Sequence, residues 1–184
     1  MNKIELHPEV FLIKDFLSKE KCDHFIEKGE LVSFEEAKVN VGGQRQVINK
    51  GIRNNQRVLF FDHQLERSIW KKIQSVVPPV FEGHTSYGLN EMFRIYKYKP
   101  GQRFKMHRDG SHRKNEKERS FFSFLIYLNN DFEGGETYFE KGITIMPKTG
   151  DALLFHHPLR HEGKPIISGT KYVLRTDIMY RLNE

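Results

Sequence analysis

Apolar residues recur at helical spacing twice in the first half of the chain. A short apolar run over residues 11–16 predicts a strand, and Ser18 then stands where a helix cap is expected. The helix that follows ends near Gly29, and its apolar face is formed by Cys22, Phe25 and Ile26. A second helix is predicted from residue 62 to residue 77, where Pro78-Pro79 stops it. Its apolar positions, three and four residues apart, are Leu65, Ile69, Ile73 and Val76.

From residue 90 onward the pattern changes to short apolar runs separated by Gly, Pro, Asn and Asp. Six strands are predicted, over residues 93–98, 120–128, 136–139, 143–146, 152–155 and 171–180. Many short strands with regular turns are typical of a jelly roll, and helices placed before strands argue against alternating βαβ units. The predicted fold class is α+β, mainly β, with N-terminal packing helices. We expect a single domain over 1–184, with a helical support over about 1–90 and a jelly-roll core over about 91–182.

Composition is that of a soluble globular protein, with 38% hydrophobic and 29% charged residues among 184. The single cysteine, Cys22, excludes an internal disulfide framework and favours a reducing compartment. We find no apolar run resembling a secretion signal or a membrane span, so we expect a cytoplasmic protein without a membrane partner. The net charge of +6 suits acidic or phosphate-bearing partners, but a solvated basic surface is the simpler explanation.

Candidate metal ligands are His107, Asp109 and His161. Side chains alternate along an extended segment, so His107 and Asp109 can reach one metal together, whereas His161 needs a fold that joins distant strands. Two imidazoles and one carboxylate with open positions make the facial triad of a non-haem Fe(II) oxygenase. His156 and His157 compete with His161 for the third position. With nine histidines in the chain, the triplet His107-Arg108-Asp109 could arise by chance. Whether it belongs to a metal site is therefore decided by the surrounding sequence.

Six segments surround these residues in order: Tyr98-Lys99-Pro100-Gly101-Gln102, His107-Arg108-Asp109, Tyr127-Leu128-Asn129, Gly134-Gly135-Glu136-Thr137, 147–155, and His161 with Gly169-Thr170-Lys171 after it. With these gaps they resemble the Fe(II)/2-oxoglutarate-dependent dioxygenases, specifically the prolyl 4-hydroxylase-like branch. The resemblance is dense over 93–181 and looser over 11–18. It implies a double-stranded β-helix, a jelly roll whose open end holds iron on His107, Asp109 and His161. His161 is preferred because the Gly-x-Lys segment follows it at the family's spacing.

The resemblance also implies a pocket for 2-oxoglutarate, whose distal carboxylate needs a buried cation. Lys171 stands where the prolyl hydroxylases place that cation. Arg175, four residues further along the same strand, faces the same side and would offer a bidentate fork. Both stay candidates, with Lys171 preferred, and the alternative is that one of them pairs with Asp177. Tyr98 and Tyr127 match positions whose hydroxyls help to hold the co-substrate, although both could be core tyrosines.

Two polar segments are candidates for contact with the substrate. The glycine-punctuated segment 40–57 corresponds to a flexible hairpin that closes over the substrate in prolyl hydroxylases, which makes Arg53, Asn55 and Arg57 candidate substrate contacts. The densely charged segment 105–119 is either a lid, a contact for an acidic substrate or, more simply, a solvated loop.

The function implied by the resemblance is Fe(II)- and 2-oxoglutarate-dependent hydroxylation of a prolyl residue of a protein or peptide, with release of succinate and CO2. The implied cofactor is Fe(II), 2-oxoglutarate and O2 are co-substrates, and ascorbate is an optional further cofactor. Alternatives are the same chemistry on a free amino acid or small metabolite, a nucleic-acid oxidative demethylase, and a non-catalytic cupin-like metal-binding protein. A nucleic-acid partner is disfavoured because stacking aromatics on a basic platform are not apparent. The sequence carries no signal for the oligomeric state.

Overall fold

Two helices and eighteen strands are formed by the residues that the computed structural model describes, 2–40 and 45–183. The helices are α1 (Lys19–Glu30) and α2 (His63–Ile73). The strands before residue 90 are β1 (Asn2–His7), β2 (Val10–Lys14), β3 (Glu35–Glu36), β4 (Val39–Asn40), β5 (Gln46–Val47), β6 (Gln56–Phe61), β7 (Val80–Phe81) and β8 (His84–Leu89). The later strands are β9 (Met92–Tyr98), β10 (Phe104–His107), β11 (Glu118–Tyr127), β12 (Phe132–Gly134), β13 (Thr137–Phe139), β14 (Ile143–Ile145), β15 (Ala152–His156), β16 (His161–Gly163), β17 (Ile166–Gly169) and β18 (Lys171–Leu182).

Two antiparallel sheets carry most of the strands. The larger has ten strands in the order β1-β2-β15-β11-β18-β9-β6-β3, with β8 also paired to β18 and β7 to β8. The smaller has the order β10-β16-β13-β14, and β12-β17 and β4-β5 form two short ribbons. One cluster of buried side chains joins the two sheets, with Tyr98, Tyr127 and Phe155 from the larger and Phe139 and Ile145 from the smaller. The space between the sheets is therefore the interior in which a site can form.

Both helices pack on the other face of the larger sheet. Ser18 caps α1 by accepting a hydrogen bond from the Lys21 amide, and Asp62 caps α2. The apolar faces of the helices share a core with alternate residues of β11: Phe122, Phe124 and Ile126. β11 is buried on both faces, which explains its almost continuous apolar sequence. Neither helix in the described part of the chain is long and apolar enough to cross a membrane.

The predicted elements occur, but the structure also has strands that were not predicted, several before residue 90 and four beyond it: β10, β12, β16 and β17. All six strands predicted beyond residue 90 are present, with ends displaced by at most two residues. Helix α2 ends at Ile73 and not at residue 77, because a residue before proline disfavours helical geometry. The description of residues 1–90 as a helical support was incomplete, since β1, β2, β3, β6, β7 and β8 all belong to the larger sheet. Of these, β3 and β7 are two residues long and β1 is largely exposed, so these three show no apolar alternation.

Candidate active site

The three predicted metal ligands lie together at the end of the smaller sheet. β10 and β16 are neighbours, and His107 is directly opposite His161 in their register. Asp109 follows β10, and its amide donates to the His157 carbonyl at 3.0 Å. The His107 Nε2 atom is 3.5 Å from Asp109 Oδ1, and the His161 Nε2 atom is 3.7 Å from Asp109 Oδ2. All three ligand atoms lie within 4.8 Å of one another, close enough to share one ion.

Backbone carbonyls orient both histidines for metal binding. His107 Nδ1 lies 2.8 Å from the Lys105 carbonyl oxygen, and His161 Nδ1 lies 2.9 Å from that of Leu159. A carbonyl only accepts, so Nδ1 carries the proton in each ring and the Nε2 lone pair faces Asp109. Burial lowers the pKa of His161 to about 4, so this imidazole is neutral at physiological pH. Two imidazoles and one carboxylate fit Fe(II).

Arg175 is committed to the metal-ligand carboxylate. Its Nη1 lies 3.0 Å from Asp109 Oδ1, and its Nη2 lies 3.4 Å from Asp177 Oδ1. Burial raises the pKa of Asp109, but Arg175 and then His161 outweigh that effect and hold the pKa well below its ordinary value. Of the two candidate cations, Arg175 is therefore the one that pairs with Asp177. It also forms an ion pair with Asp109, which the sequence did not suggest.

Lys171 is a buried cation of the pocket that has no ion-pair partner among the described residues. It is 4% exposed, its ammonium donates to the Gly135 carbonyl at 2.5 Å, and it lies over the rings of Tyr98 and Tyr127. Within residues 2–40 and 45–183 no carboxylate forms an ion pair with it, and burial lowers its pKa to about 7. Of the two candidates, Lys171 therefore fits the distal carboxylate of 2-oxoglutarate better than Arg175, and that assignment stays a prediction.

The pocket between the ligands and Lys171 is lined by both predicted tyrosines. The Tyr127 hydroxyl is hydrogen-bonded to Thr137 Oγ1 at 2.8 Å, and Tyr98 is paired with Lys171 across β9 and β18. Burial raises the pKa of Tyr127, which keeps its hydroxyl protonated. Thr137 also lines this pocket.

Sequence reasoning missed a hydrogen-bond chain behind Asp109. Ser123 Oγ donates its only proton to Asp109 Oδ2 at 2.6 Å. In its contact with His157 Nδ1 at 3.0 Å, Ser123 Oγ must therefore be the acceptor. His157 Nε2 then accepts from Ser120 Oγ at 2.8 Å. His157 had been considered only as a rival ligand, whereas His156 pairs with Glu9 at 2.6 Å. Ser123 could have been found by alternation, because it shares the inward face of β11 with Tyr127.

Ser123→Ala is expected to weaken binding of a divalent metal by about 10- to 100-fold, the usual effect of removing a group that orients a metal ligand. The variant removes the donor to Asp109 and leaves the His157 imidazole without its acceptor. Calorimetric titration with Mn(II) or Co(II) measures the change. Ser168→Ala, which removes an exposed serine bonded to Glu133, should bind metal like the wild type. Equal affinities for Ser123→Ala and the wild type would show that Arg175 alone positions the carboxylate.

The three predicted substrate contacts have different environments. The Arg53 guanidinium lies between the rings of Tyr96 and Phe104, 4.3 Å from each, and lines the same pocket as the metal ligands. Asn55 accepts from Arg53 Nε at 2.7 Å and is itself buried. Arg57 lines the adjoining cleft but is paired with Glu35. Part of the predicted hairpin, residues 41–44, lies outside the described residues, and β4 and β5 flank it.

Comparison with known proteins agrees with this geometry. Residues 93–176 match the model of the 2OG-Fe(II) oxygenase superfamily. The chain is 28% identical to prolyl 4-hydroxylase 1 of Arabidopsis thaliana over 90% of its own length, and it spans 66% of that relative. The viral collagen prolyl hydroxylase of Paramecium Bursaria Chlorella virus-1, solved as a 2OG complex, superimposes with a TM-score of 0.65 at 20% identity, covering 95% of this chain and 97% of that one. A Trichoplax adhaerens prolyl hydroxylase in complex with a hypoxia inducible factor peptide superimposes with a TM-score of 0.71 at 18% identity. The match covers 92% of this chain and 83% of that one.

The fold is that of these prolyl hydroxylase structures, a double-stranded β-helix as predicted, and it brings together a His-Asp-His cluster that could hold one metal ion. Residues 93–176 match the 2OG-Fe(II) oxygenase superfamily, and the chain as a whole is similar to prolyl 4-hydroxylases. The predicted requirements for iron and 2-oxoglutarate are confirmed at the level of the family.

Proposed function

We propose that this enzyme hydroxylates a prolyl residue of a protein or peptide, consuming 2-oxoglutarate and O2 and releasing succinate and CO2. One observation carries the proposal: the three metal ligands and the unpaired Lys171 line a single pocket between the sheets. The relatives named above, prolyl hydroxylases of a plant, a virus and an animal, support proline as the target.

Each residue of the pocket has a role in this reaction. His107, Asp109 and His161 would hold Fe(II) on one face and leave the opposite positions open. When bound, the metal would enable O2 to oxidise a C–H bond, and 2-oxoglutarate would supply the other two electrons through its decarboxylation to succinate and CO2. Lys171 would hold the distal carboxylate of 2-oxoglutarate beside the Tyr127 hydroxyl.

Wild-type protein given Fe(II) and 2-oxoglutarate without oxygen is expected to develop a metal-to-ligand charge-transfer band in the visible spectrum, and His107→Ala is expected to lack it. The band requires both the metal and a chelating co-substrate, so it tests the two together. His24→Ala, which removes an exposed histidine of α1, is the matched control and should keep the band. No band from wild-type protein with iron shown to be bound would leave a cupin-like metal-binding protein.

The substrate is tested by supplying O2 and measuring succinate together with mass-spectrometric detection of one added oxygen atom. A panel of prolyl peptides is compared with free amino acids and small carboxylic acids. Hydroxylation of peptides alone supports the proposal, whereas oxidation of free amino acids alone would reassign the substrate and keep the reaction class.

Cys22 supports the further proposal that the protein acts in a reducing compartment such as the cytosol. Its side chain is buried against α1 and the larger sheet, and burial raises the pKa of the thiol to about 11. The thiol therefore serves the hydrophobic core and not disulfide chemistry. Localisation of the tagged full-length protein checks this proposal.

A further inference from the structure

Arg53 carries a positive charge that the described part of the fold does not neutralise. The side chain is 5% exposed, and its Nε donates to the Asn55 side-chain oxygen at 2.7 Å. One terminal nitrogen, Nη2, is buried without any hydrogen-bond partner, and no carboxylate of the described residues forms an ion pair with the guanidinium. A buried guanidinium with an unused donor is costly unless something binds to it.

The unused donor lies beside the metal ligands. The Phe104 ring stacks on the His107 ring with centroids 3.4 Å apart, and Arg53 lies on Phe104 at 4.3 Å. Arg53 is thus separated by one aromatic ring from a metal ligand, and it lines both the pocket of the ligands and the cleft that leads to them. A group held by Arg53 would be close to the carbon that is oxidised.

The cleft itself is electropositive. It has a volume of about 760 Å³, and seven basic side chains but only two carboxylates line it. Those carboxylates, Asp109 and Asp177, are already paired with Arg175 and Arg94. Because a bound metal ion would take up part of the charge of Asp109, the loaded site would be more positive still. Such a cleft concentrates anionic ligands.

The positive charges of the cleft also shift the pKa of Tyr96. Burial raises the pKa of its hydroxyl, but Arg53, followed by Arg175 and Arg94, outweighs this effect and lowers the pKa to about 8. A site that favours the ionised form of a buried phenol favours any anion placed there.

We propose that Arg53 recognises a carboxylate of the substrate, which lies close to the proline that is hydroxylated. This inference rests on the proposed function. One guanidinium with a free terminal nitrogen suits a carboxylate oxygen, which it can bind through a charge-assisted hydrogen bond. The carboxylate has two sources, an acidic side chain next to the proline of a peptide or the α-carboxylate of a terminal or free amino acid.

Matched pairs of compounds test the inference. The first arm compares blocked pentapeptides with proline in the centre and either glutamate or glutamine at each neighbouring position. The second compares prolyl peptides that end in a free carboxylate or a carboxamide, and L-proline with its amide. In the wild type the carboxylate member of one arm is expected to have a kcat/KM about 10- to 100-fold higher, the usual effect of a hydrogen bond to a charged group. The arm that shows the preference identifies the source.

Variants at Arg53 make the test specific. Arg53→Met fills the space between the two rings without charge and should reduce the preference to less than about threefold, whereas Arg53→Lys should keep part of it. Arg67→Met removes an exposed charge from α2, outside the cleft, and should keep the full preference. The anaerobic charge-transfer band shows that each variant is folded and loaded, and changes in the band on adding each compound measure binding without turnover.

The outcomes separate the inference from the proposed function. Equal turnover of charged and neutral peptides by the wild type, or a preference that survives in Arg53→Met, overturns the carboxylate subsite and leaves prolyl hydroxylation standing. If no prolyl compound is hydroxylated but carboxylates perturb the band in the wild type and not in Arg53→Met, the proline substrate is wrong and the subsite is supported. If no compound binds, both are overturned.

Discussion

Lys171→Met is expected to weaken binding of 2-oxoglutarate at least about 30-fold and, at the same time, to stabilise the metal-free protein. The buried ammonium has the Gly135 carbonyl as a partner but no carboxylate among the described residues, so it raises the free energy of the folded state. Methionine fills a similar volume without charge and gives up one hydrogen bond, worth about 1 kcal/mol. The net gain in the free energy of unfolding is expected to be about 1–3 kcal/mol near neutral pH.

The stability gain depends on pH in a defined direction. Burial lowers the pKa of Lys171 from 10.5 to about 7, so folding favours the neutral amine. The cost of the ammonium is fully present below pH 7 and disappears as the pH rises towards 10.5, where the amine is neutral in the folded and the unfolded chain. Thermal unfolding at pH 6.5 and pH 9.5 should therefore show a large difference between variant and wild type at the lower pH and a small one at the higher.

Loss of the distal-carboxylate partner is expected to cost about 2–5 kcal/mol of binding free energy, at least about 30-fold in Kd for 2-oxoglutarate. In the wild type, binding should take up a proton above pH 7, because the dianion needs the charged amine. Calorimetry in buffers of different ionisation enthalpy measures that uptake. Lys148→Met, at an exposed position, is the control and should leave both quantities unchanged. If Lys171→Met bound 2-oxoglutarate as tightly as the wild type, another cation would have to hold the distal carboxylate.

Arg175→Met is expected to cause a loss of about 3–5 kcal/mol in the free energy of unfolding of the metal-free protein. The guanidinium is buried between Asp109 and Asp177, and without it only Arg94 remains beside the second of these carboxylates. Breaking a buried ion pair leaves uncompensated charge, whereas breaking an exposed one costs little. Arg181→Met, on the same strand, removes the more exposed pair with Glu118 and should change stability by less than about 1 kcal/mol.

Metal should rescue part of the loss in Arg175→Met. A divalent ion neutralises Asp109, which in the wild type Arg175 already does, so the melting temperature should rise more on adding Mn(II) in the variant than in the wild type. Denaturant unfolding with and without Mn(II) measures both the stability lost in Arg175→Met and the part that the metal restores. A variant as stable as the wild type without metal would mean that Asp109 is protonated in the folded protein, against the low pKa that Arg175 imposes on it.

The effects expected for Lys171→Met and Arg175→Met have one origin. The site keeps charged side chains in the interior, where their burial costs folding free energy. Lys171 and Arg53 lie in the pocket without carboxylate partners among the described residues, and they are the positions where ligand charge is expected. Strongly perturbed ionisable groups in a cleft are typical of functional sites. Here the stability lost in the empty protein is recovered when anionic ligands bind.

The sequence by itself determined the elements with a strong local pattern. Cap residues and apolar spacing located α1 and α2, and apolar runs between turns located the six strands that form the walls of the interior. Alternation on β10 indicated that His107 and Asp109 act together, and alternation on β18 placed Lys171 and Arg175 on one face. Short or exposed strands such as β1 and β3 were not predicted because pairing with a neighbour, and not side-chain pattern, makes them strands.

Only the tertiary structure decided how charges are shared. The sequence left Lys171 and Arg175 as alternatives, since both follow His161 on one strand. Register then places Arg175 opposite Leu125 and within reach of Asp109, while Lys171 lies opposite Tyr98 at the other end of the pocket. The Ser123–His157 chain and the unpaired donor of Arg53 likewise depend on residues far apart in sequence. Local propensity acts over a few residues, whereas electrostatic partnership is set by distances that only the complete packing of both sheets defines.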